Sequence, residues 1–300
     1  MTYQLRGVFA LLVVTLVWGT TFPAMKDLTT NLSPAWIVFT RFAMAALLLS
    51  PFLVRAARSD LVSGALLGGL LFFCYVFQVE GLALTSSNRN AFICGLNVLI
   101  VPLLGMLSGR PPERRIVLAL ALAVAGLAAL CWDGGPWRFG DSLALGAALC
   151  FGLYIKLMET RTRTARRLMS ITATQIAVVA VLALLWLLVT EVPLGGSGVQ
   201  PYWDKTVAAL NSGLVSIVYL GLLATAAIIS LQTWGQSHST ANEAAVIYAF
   251  EPAAAAFFAF FWLGETMTGR GWIGAALLIS GMIVSQWNSA PRPAGALVPE

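Results

Sequence analysis

Charged side chains are scarce in this chain of 300 residues. Only 10% of the residues are Asp, Glu, Lys or Arg, whereas 59% are hydrophobic, and the mean hydropathy is +0.83. A soluble domain is roughly half apolar and about a quarter charged, so it has polar groups for its surface that this chain lacks. The composition therefore excludes an ordinary soluble protein and predicts an integral membrane protein.

Residues that bind metals or form disulfides are also few. The four cysteines lie singly inside apolar runs without CxxC spacing, and the only histidine is His238. This pattern argues against both a disulfide framework and a zinc site, so we expect neither a metal nor a cofactor.

Sequence motifs for chemistry at membrane depth are missing. The chain contains no HExxH, no GxSxG elbow and no Walker P-loop of the form GxxxxGK[ST]. An intramembrane enzyme would need such a motif, and an ATP-driven pump would need the P-loop. A channel is disfavoured because no carbonyl filter sequence is repeated. We therefore expect no enzyme, and keep an intramembrane enzyme and a channel as the alternatives.

Long apolar runs recur from near the N-terminus to near residue 287. Each has the length that an α-helix needs to cross a bilayer, roughly 17 to 25 residues. They predict an all-α integral membrane protein with about ten transmembrane helices, at 7–26, 34–54, 62–82, 88–108, 114–131, 141–159, 168–190, 212–235, 241–262 and 270–287. No stretch remains for an aqueous core, so residues 1–300 form a single membrane domain whose first run reads as a retained helix.

The basic residues concentrate in alternate loops, which orients the chain in the membrane. The cluster "ETRTRTARR" after the sixth run is the strongest signal. The positive-inside rule then places both termini, including the tail at 288–300, in the cytoplasm. The basic residues that give the net charge of +5 thus serve to orient the chain in the membrane. We expect membrane lipid as a partner and no nucleic acid.

The two halves of the chain repeat one another. Asn88 aligns with Asn242 and Gln78 with Gln232, while "VWGTTFPAM" near the start of the chain aligns with "CFGLYIKLM" from Cys150. The repeats cover 7–131 and 141–287 and hold five helices each. Because five is odd, the second repeat is inverted relative to the first, an arrangement that secondary transporters use for alternating access.

Four segments resemble the drug/metabolite transporter superfamily, in particular its ten-helix EamA-like exporters. They are "LVWGTTFPAMK", "FTRFAMAALLL", "ALTSSNRNAFI" and "YAFEPAAAAFFAFFWLGE". The resemblance implies a carrier in the bacterial inner membrane that exports small metabolites, amino acids prominent among them, without hydrolysing nucleotide. The first half departs from the second, since Asn97 stands where the second half has Glu251 and "LSGRPPE" replaces the Leu-Gly-Glu ending.

Polar residues inside the predicted helices are the candidate binding groups, because such residues at membrane depth usually face a cavity or a partner. Glu251 and Tyr248 share one face of the ninth helix, and the repeat brings Asn97, Gln78 and Gln232 to a common ring. Aromatic residues would take an apolar side chain of the substrate. The predicted substrate-binding residues are Trp18, Arg41, Tyr75, Gln78, Asn97, Tyr154, Lys156, Gln232, Trp234, Tyr248 and Glu251.

Several roles in this ring stay open at the level of sequence. The amides could instead hold helices together. Arg41 either binds a substrate carboxylate or hydrogen-bonds neighbouring helices, and Lys156 either clamps a carboxylate or meets the substrate from the interior. Pro23, Pro102 and Pro252 are predicted hinges, because proline frees carbonyls in the preceding turn.

The ring suits a small amino acid with a bulky apolar or aromatic side chain, carried by alternating access. Nucleotide-sugars and polyamines are the alternative substrates. Coupling to protons, and a monomeric or homodimeric state, both remain open.

The orientation can be tested by labelling. Cysteines introduced at Arg163 and Ser197 are expected to react with an impermeant thiol reagent from opposite sides of intact cells, because the two loops are predicted to face opposite sides. Labelling of both positions from the same side would contradict the orientation.

Overall fold

The computed structural model describes residues 3–107, 109, 111–131, 135–193, 199–263 and 268–287, and regular structure in these ranges is helical throughout. The predicted tail at 288–300 lies outside them. The α-helices are α1 Tyr3–Gly19, α2 Thr21–Leu28, α3 Pro34–Leu49, α4 Arg58–Leu84, α5 Ser87–Gly95, α6 Asn97–Leu107, α7 Arg114–Cys131, α8 Phe139–Thr162, α9 Leu168–Thr190, α10 Val199–Ser212, α11 Leu214–Val218, α12 Ile228–Ser237, α13 Ala241–Tyr248, α14 Glu251–Leu263 and α15 Gly269–Gln286. A 3-10 turn, Ser50–Leu53, follows α3, and a π-helical stretch, Tyr219–Ala227, joins α11 to α12.

Seven segments within the described residues are long and apolar enough to cross a membrane. They are Leu5–Leu28, Pro34–Leu53, Arg58–Leu84, Arg89–Leu107, Phe139–Thr162, Leu168–Thr190 and Leu214–Ser237. The three other predicted spans coincide with α7, with α13 followed by α14, and with α15. The chain is therefore a multi-pass, all-helical membrane protein, and α10 is an additional helix in its longest loop.

Three of the ten predicted spans, which are called segments below and numbered in chain order, contain a helix break. The first breaks at Thr20, the fourth at Leu96, and the ninth at 249–250. Proline explains two of these breaks, because its nitrogen carries no hydrogen for the carbonyl four residues earlier. Pro23 thus leaves the carbonyl of Gly19 without its helical donor, and Pro252 does the same for Tyr248. Pro102, by contrast, lies inside α6, which continues past it.

The helix contacts follow the repeat. α3 packs against α9 and α7 against α15, so each of these helices contacts its own counterpart in the other half. α4 packs against α8. In the other half the counterpart of α4 is α12, and α12 packs against α1, which is the counterpart of α8. Exchange of the two halves therefore maps these contacts onto one another, as a pseudo-two-fold arrangement requires.

Glycine allows the backbones of α7 and α15 to touch. A Cβ atom on Gly126 would lie 2.8 Å from the carbonyl oxygen of Gly274, and one on Gly281 would lie 2.9 Å from that of Ala119. These distances leave no room for a side chain, so small residues set the interhelical spacing. The repeat aligns Gly126 with Gly281, so each half contributes one such glycine to the contact between the halves.

Buried carboxylates hold the helix ends, and the sequence analysis did not identify them. Asp60, at the start of α4, accepts hydrogen bonds of 3.0 Å from the backbone nitrogens of Arg166 and Arg167, and so fixes the chain that leads into α9. Asp141 accepts from Nε of Arg89 at 2.8 Å and from the backbone nitrogen of Arg138 at 2.7 Å. Both ions of the Arg89–Asp141 pair are buried, with exposed side-chain fractions of 7% and 0%.

Loss of the Asp141 carboxylate is expected to destabilise the fold strongly. In Asp141→Asn the guanidinium of Arg89 would stay buried without its counter-charge, which costs about 3–5 kcal/mol of unfolding free energy. Thermal unfolding in detergent measures this. Asp204→Asn is the matched control, because Asp204 is exposed on α10 and its loss should cost less than about 0.5 kcal/mol. Equal stability of the two variants would contradict the structural role of the pair.

Candidate functional site: a central cavity between broken helices

A cavity lies at the centre of the described residues, where the broken helices of both halves meet. It contains about 630 Å³ of space not filled by atoms, including space open to solvent. It is lined by Trp18, Thr21, Phe22, Met25, Tyr75, Gln78, Ala91, Cys94, Gly95, Asn97, Phe151, Ile155, Gln232, Tyr248, Glu251 and Pro252.

Two hydrogen-bond acceptors lie at equivalent helix breaks. Asn97 is the first residue of α6 and Glu251 the first residue of α14, as the repeat alignment requires. Oδ1 of Asn97 is buried and has no hydrogen-bond partner within the described part of the chain. The Glu251 carboxylate likewise forms no hydrogen bond or ion pair with a described residue. The cavity thus presents two hydrogen-bond acceptors to a ligand that carries N–H or O–H donors.

Both glutamines of the predicted ring line this cavity. Gln78 comes from α4 and Gln232 from α12, and both are buried. The side-chain amide of Gln78 donates to no described residue, although its backbone carbonyl accepts from Asn90 Nδ2 at 3.3 Å. At least one of the two amides is therefore oriented toward the cavity rather than used to join helices.

Aromatic rings form the walls. The Trp18 and Tyr248 rings lie 5.7 Å apart, and those of Tyr75 and Phe151 lie 6.1 Å apart in an edge-to-face arrangement. Nε1 of Trp18 donates to the carbonyl of Ala224 at 3.3 Å, which holds the indole. These walls offer apolar surface to a ligand whose charged end meets the acceptors.

Arg41 is fully buried but does not line the cavity. Its Nε donates to Oγ1 of Thr225 at 2.9 Å, and its guanidinium lies 4.8 Å from the centre of the Tyr75 ring. Thr225 belongs to the π-helical stretch, a geometry that is frequent at functional sites. Arg41 and Glu251 are close enough to interact electrostatically. The cation therefore acts on the cavity from behind the wall of Tyr75 and Met25.

Three other predicted site residues lie elsewhere. The Tyr154 hydroxyl donates to Oε1 of Gln175 at 2.9 Å, away from the cavity. Trp234 lines a separate groove, together with Arg6, Phe9, Ala10, Val13 and Leu231. Nζ of Lys156 donates to Oε2 of Glu159 at 2.9 Å, so its carboxylate partner is Glu159, one helical turn away, and not Glu251.

Some cavity residues were missed because their side chains are apolar or small. Phe22 and Ile155 are one example, since the alignment that pairs Trp18 with Phe151 also pairs these two. The equivalence of Trp18 and Phe151 is the sequence signal that points to both. Cys94, which aligns with Tyr248, lies on the face of the fourth span that the repeat predicts to oppose the Glu251 face, and it lines the cavity.

The family model for the EamA-like transporter family matches the chain twice, at residues 5–132 and 138–286. The chain belongs to the EamA-like transporter family. This confirms the resemblance seen in the sequence motifs. The double match also agrees with the two repeated halves of this EamA protein.

Relatives along the whole length are described as transporters. An uncharacterized transporter of Archaeoglobus fulgidus is 28% identical over 94% of this chain and 86% of its own length. A probable terminal-alkyne amino-acid exporter of Streptantibioticus cattleyicolor is 27% identical over 98% of each chain. A chain of known crystal structure superposes with a TM-score of 0.71 at 19% identity, covering 95% of this EamA protein and 96% of its own length, which shows the shared fold.

The ion pair of Lys156 predicts the result of a double-mutant cycle. Lys156→Met should couple to Glu159→Gln by about 0.2–1 kcal/mol of unfolding free energy, as a partly exposed pair does. It should not couple to Glu251→Gln, because Lys156 contacts the other carboxylate. Unfolding of the single and double variants in detergent measures both couplings. Restoration of a destabilised Glu251→Gln protein by Lys156→Met would contradict this geometry.

Proposed function

We propose that this EamA protein is a secondary carrier that exports small metabolites by alternating access, and that amino acids with bulky apolar or aromatic side chains are its preferred substrates. The observation that carries the proposal is the Glu251 carboxylate, which lies in an aromatic cavity between two repeated halves without an ion partner among the described residues. We place the protein in the bacterial inner membrane with both termini in the cytoplasm.

The acceptors suit the ammonium group of an amino acid. An ammonium carries three donors and no acceptor, so its chemistry matches both the Asn97 amide oxygen and the Glu251 carboxylate. Oδ1 of Asn97 accepts from no described residue, so a bound ammonium can donate to it without breaking a bond within the protein.

Donors and rings suit the rest of the substrate. The amide of Gln78 can donate to a carboxylate, and the positive field of Arg41 stabilises negative charge nearby. The rings of Trp18, Tyr75 and Phe151 would contact an apolar side chain. The relative described as a probable terminal-alkyne amino-acid exporter, aligned over 98% of both chains, supports the amino-acid class.

Transport by the purified protein in proteoliposomes tests the substrate class. Liposomes loaded with radiolabelled phenylalanine, leucine, alanine or lysine are expected to lose the first two fastest. Parallel measurements with and without a pH gradient show whether protons are coupled. A protein that moves nucleotide-sugars or polyamines and none of the amino acids would overturn the proposed substrate, while leaving its carrier fold intact.

Removal of the negative charge at Glu251 is expected to impair transport. Glu251→Gln keeps an acceptor but loses the counter-charge of the ammonium, so transport should fall at least about tenfold, equivalent to about 1.4 kcal/mol, with little change in unfolding temperature. Glu251→Asp should retain an intermediate rate, because it keeps the charge on a shorter side chain.

Glu80→Gln is the matched control for Glu251→Gln. Glu80 is a carboxylate on α4 that does not line the cavity, so its loss should leave transport near the wild-type rate. A Glu251→Gln protein that transports at the wild-type rate across the pH range would refute the role of the carboxylate.

A further inference from the structure

Hydrogen bonds close one end of the central cavity. Ile155, Gln232 and Tyr248 line the cavity at the end that faces the loop between α12 and α13. Beyond them, the Tyr248 hydroxyl donates to Oε1 of Gln236 at 3.2 Å, and Nε2 of Gln236 donates to the carbonyl of Ile155 at 2.7 Å. Gln236 is 1% exposed. One buried amide thus joins α8, α12 and α13.

The first half has no polar counterpart of this amide. The repeat aligns Gln236 with Leu82, Tyr248 with Cys94, and Ile155 with Phe22. A leucine side chain can neither donate nor accept a hydrogen bond, so the equivalent helices of the first half cannot be joined in this way. Phe22 and Cys94 line the cavity, as Ile155 and Tyr248 do. The two halves thus differ in how their equivalent ends close.

We propose that Gln236 is a positioning residue that latches this end of the cavity, and that Tyr248 connects the latch to the binding site. The inference rests on the proposed alternating-access carrier. The latch consists of the Tyr248 hydroxyl, the Gln236 amide and the Ile155 carbonyl.

Tyr248 is suited to sense a substrate because its ring and its hydroxyl contact different parts of the protein. Its ring lines the cavity 5.7 Å from Trp18, whereas its hydroxyl is bonded to Gln236. A substrate side chain that displaces the ring removes the hydroxyl from Gln236 and leaves the amide with one bond fewer. The opposite end is held by polar contacts of another kind, since Nζ of Lys26 donates to the carbonyls of Leu82 and Thr85 at 2.8 and 2.9 Å. Substrate that displaces the Tyr248 ring therefore weakens the end that holds Gln236 and leaves the contacts of the opposite end in place.

Labelling of a buried reporter cysteine tests the latch without any substrate. Ala244 is fully buried on α13, one turn before Tyr248, and becomes the reporter as Ala244→Cys in a protein whose four native cysteines are replaced by alanine. Gln236→Met removes both hydrogen bonds at nearly constant volume. It is expected to raise the rate of labelling by a hydrophilic thiol reagent about tenfold, which corresponds to about 1.4 kcal/mol. Tyr248→Phe removes one bond and should raise the rate about threefold, or about 0.7 kcal/mol at the same conversion.

Gln175→Met is the matched control. Gln175 is a fully buried amide of the same half that bonds Tyr154 and Thr233 and does not line the cavity. Its loss should lower the unfolding temperature as Gln236→Met does, but leave the labelling rate of the reporter unchanged. This comparison separates a latch from a merely structural hydrogen bond.

The outcomes are distinct. Wild-type labelling of Gln236→Met, or an equal increase in Gln175→Met, would overturn the latch. Should Gln236→Met fail to fold, Tyr248→Phe decides by the same criterion, since it retains the ring. Faster labelling together with no amino-acid transport by the parent protein would support the latch and overturn the proposed substrate instead.

Discussion

Backbone hydrogen bonding in hydrocarbon is the constraint on which this architecture depends. The bilayer core offers no water to an unpaired N–H or C=O, so a helix can break at membrane depth only where protein or a cavity covers the break. Gly95 and Asn97 flank the break in the fourth segment, and Glu251 and Pro252 follow the one in the ninth; all four line the same cavity. The cavity covers the backbone at both breaks, and residues beside the breaks supply polar groups to the cavity.

The two halves share the order of their membrane helices, whereas the side chains that face the cavity differ. Asn97 is neutral where Glu251 carries the only carboxylate among the described residues that line the cavity, and Leu82 is apolar where Gln236 bonds two helices. Both halves can therefore fold in the same way and still stabilise their two ends by different amounts. Such a difference sets which end of a carrier is open at rest, because each conformation is populated according to its free energy.

Helix positions and the repeat could be predicted from the sequence, because span length and alignment depend on composition alone. The direction of individual side chains was harder to predict. Trp234 follows Gln232 by two residues, about 200° around a helix, so the two cannot face the same cavity. Phe151 and Ile155 share a face of α8, which turns Tyr154 and Lys156 away. Only the packed helix rotations settle such choices. Lys156 pairs with Glu159 three residues along the same helix. The sequence does not show whether such a local pair or a pair with a carboxylate on another helix forms.

The burial of Arg41 has a consequence for biosynthesis. Its hydrogen-bond partner Thr225 follows 184 residues later in the chain. At about 5–20 residues per second, a ribosome needs roughly 10–40 s to make that stretch. Until then the guanidinium lacks its Thr225 partner, and an arginine at the centre of a membrane helix costs about 2.5–3.5 kcal/mol. The second segment is therefore expected to reach its full stability in the membrane only after the π-helical stretch that carries Thr225 has been added.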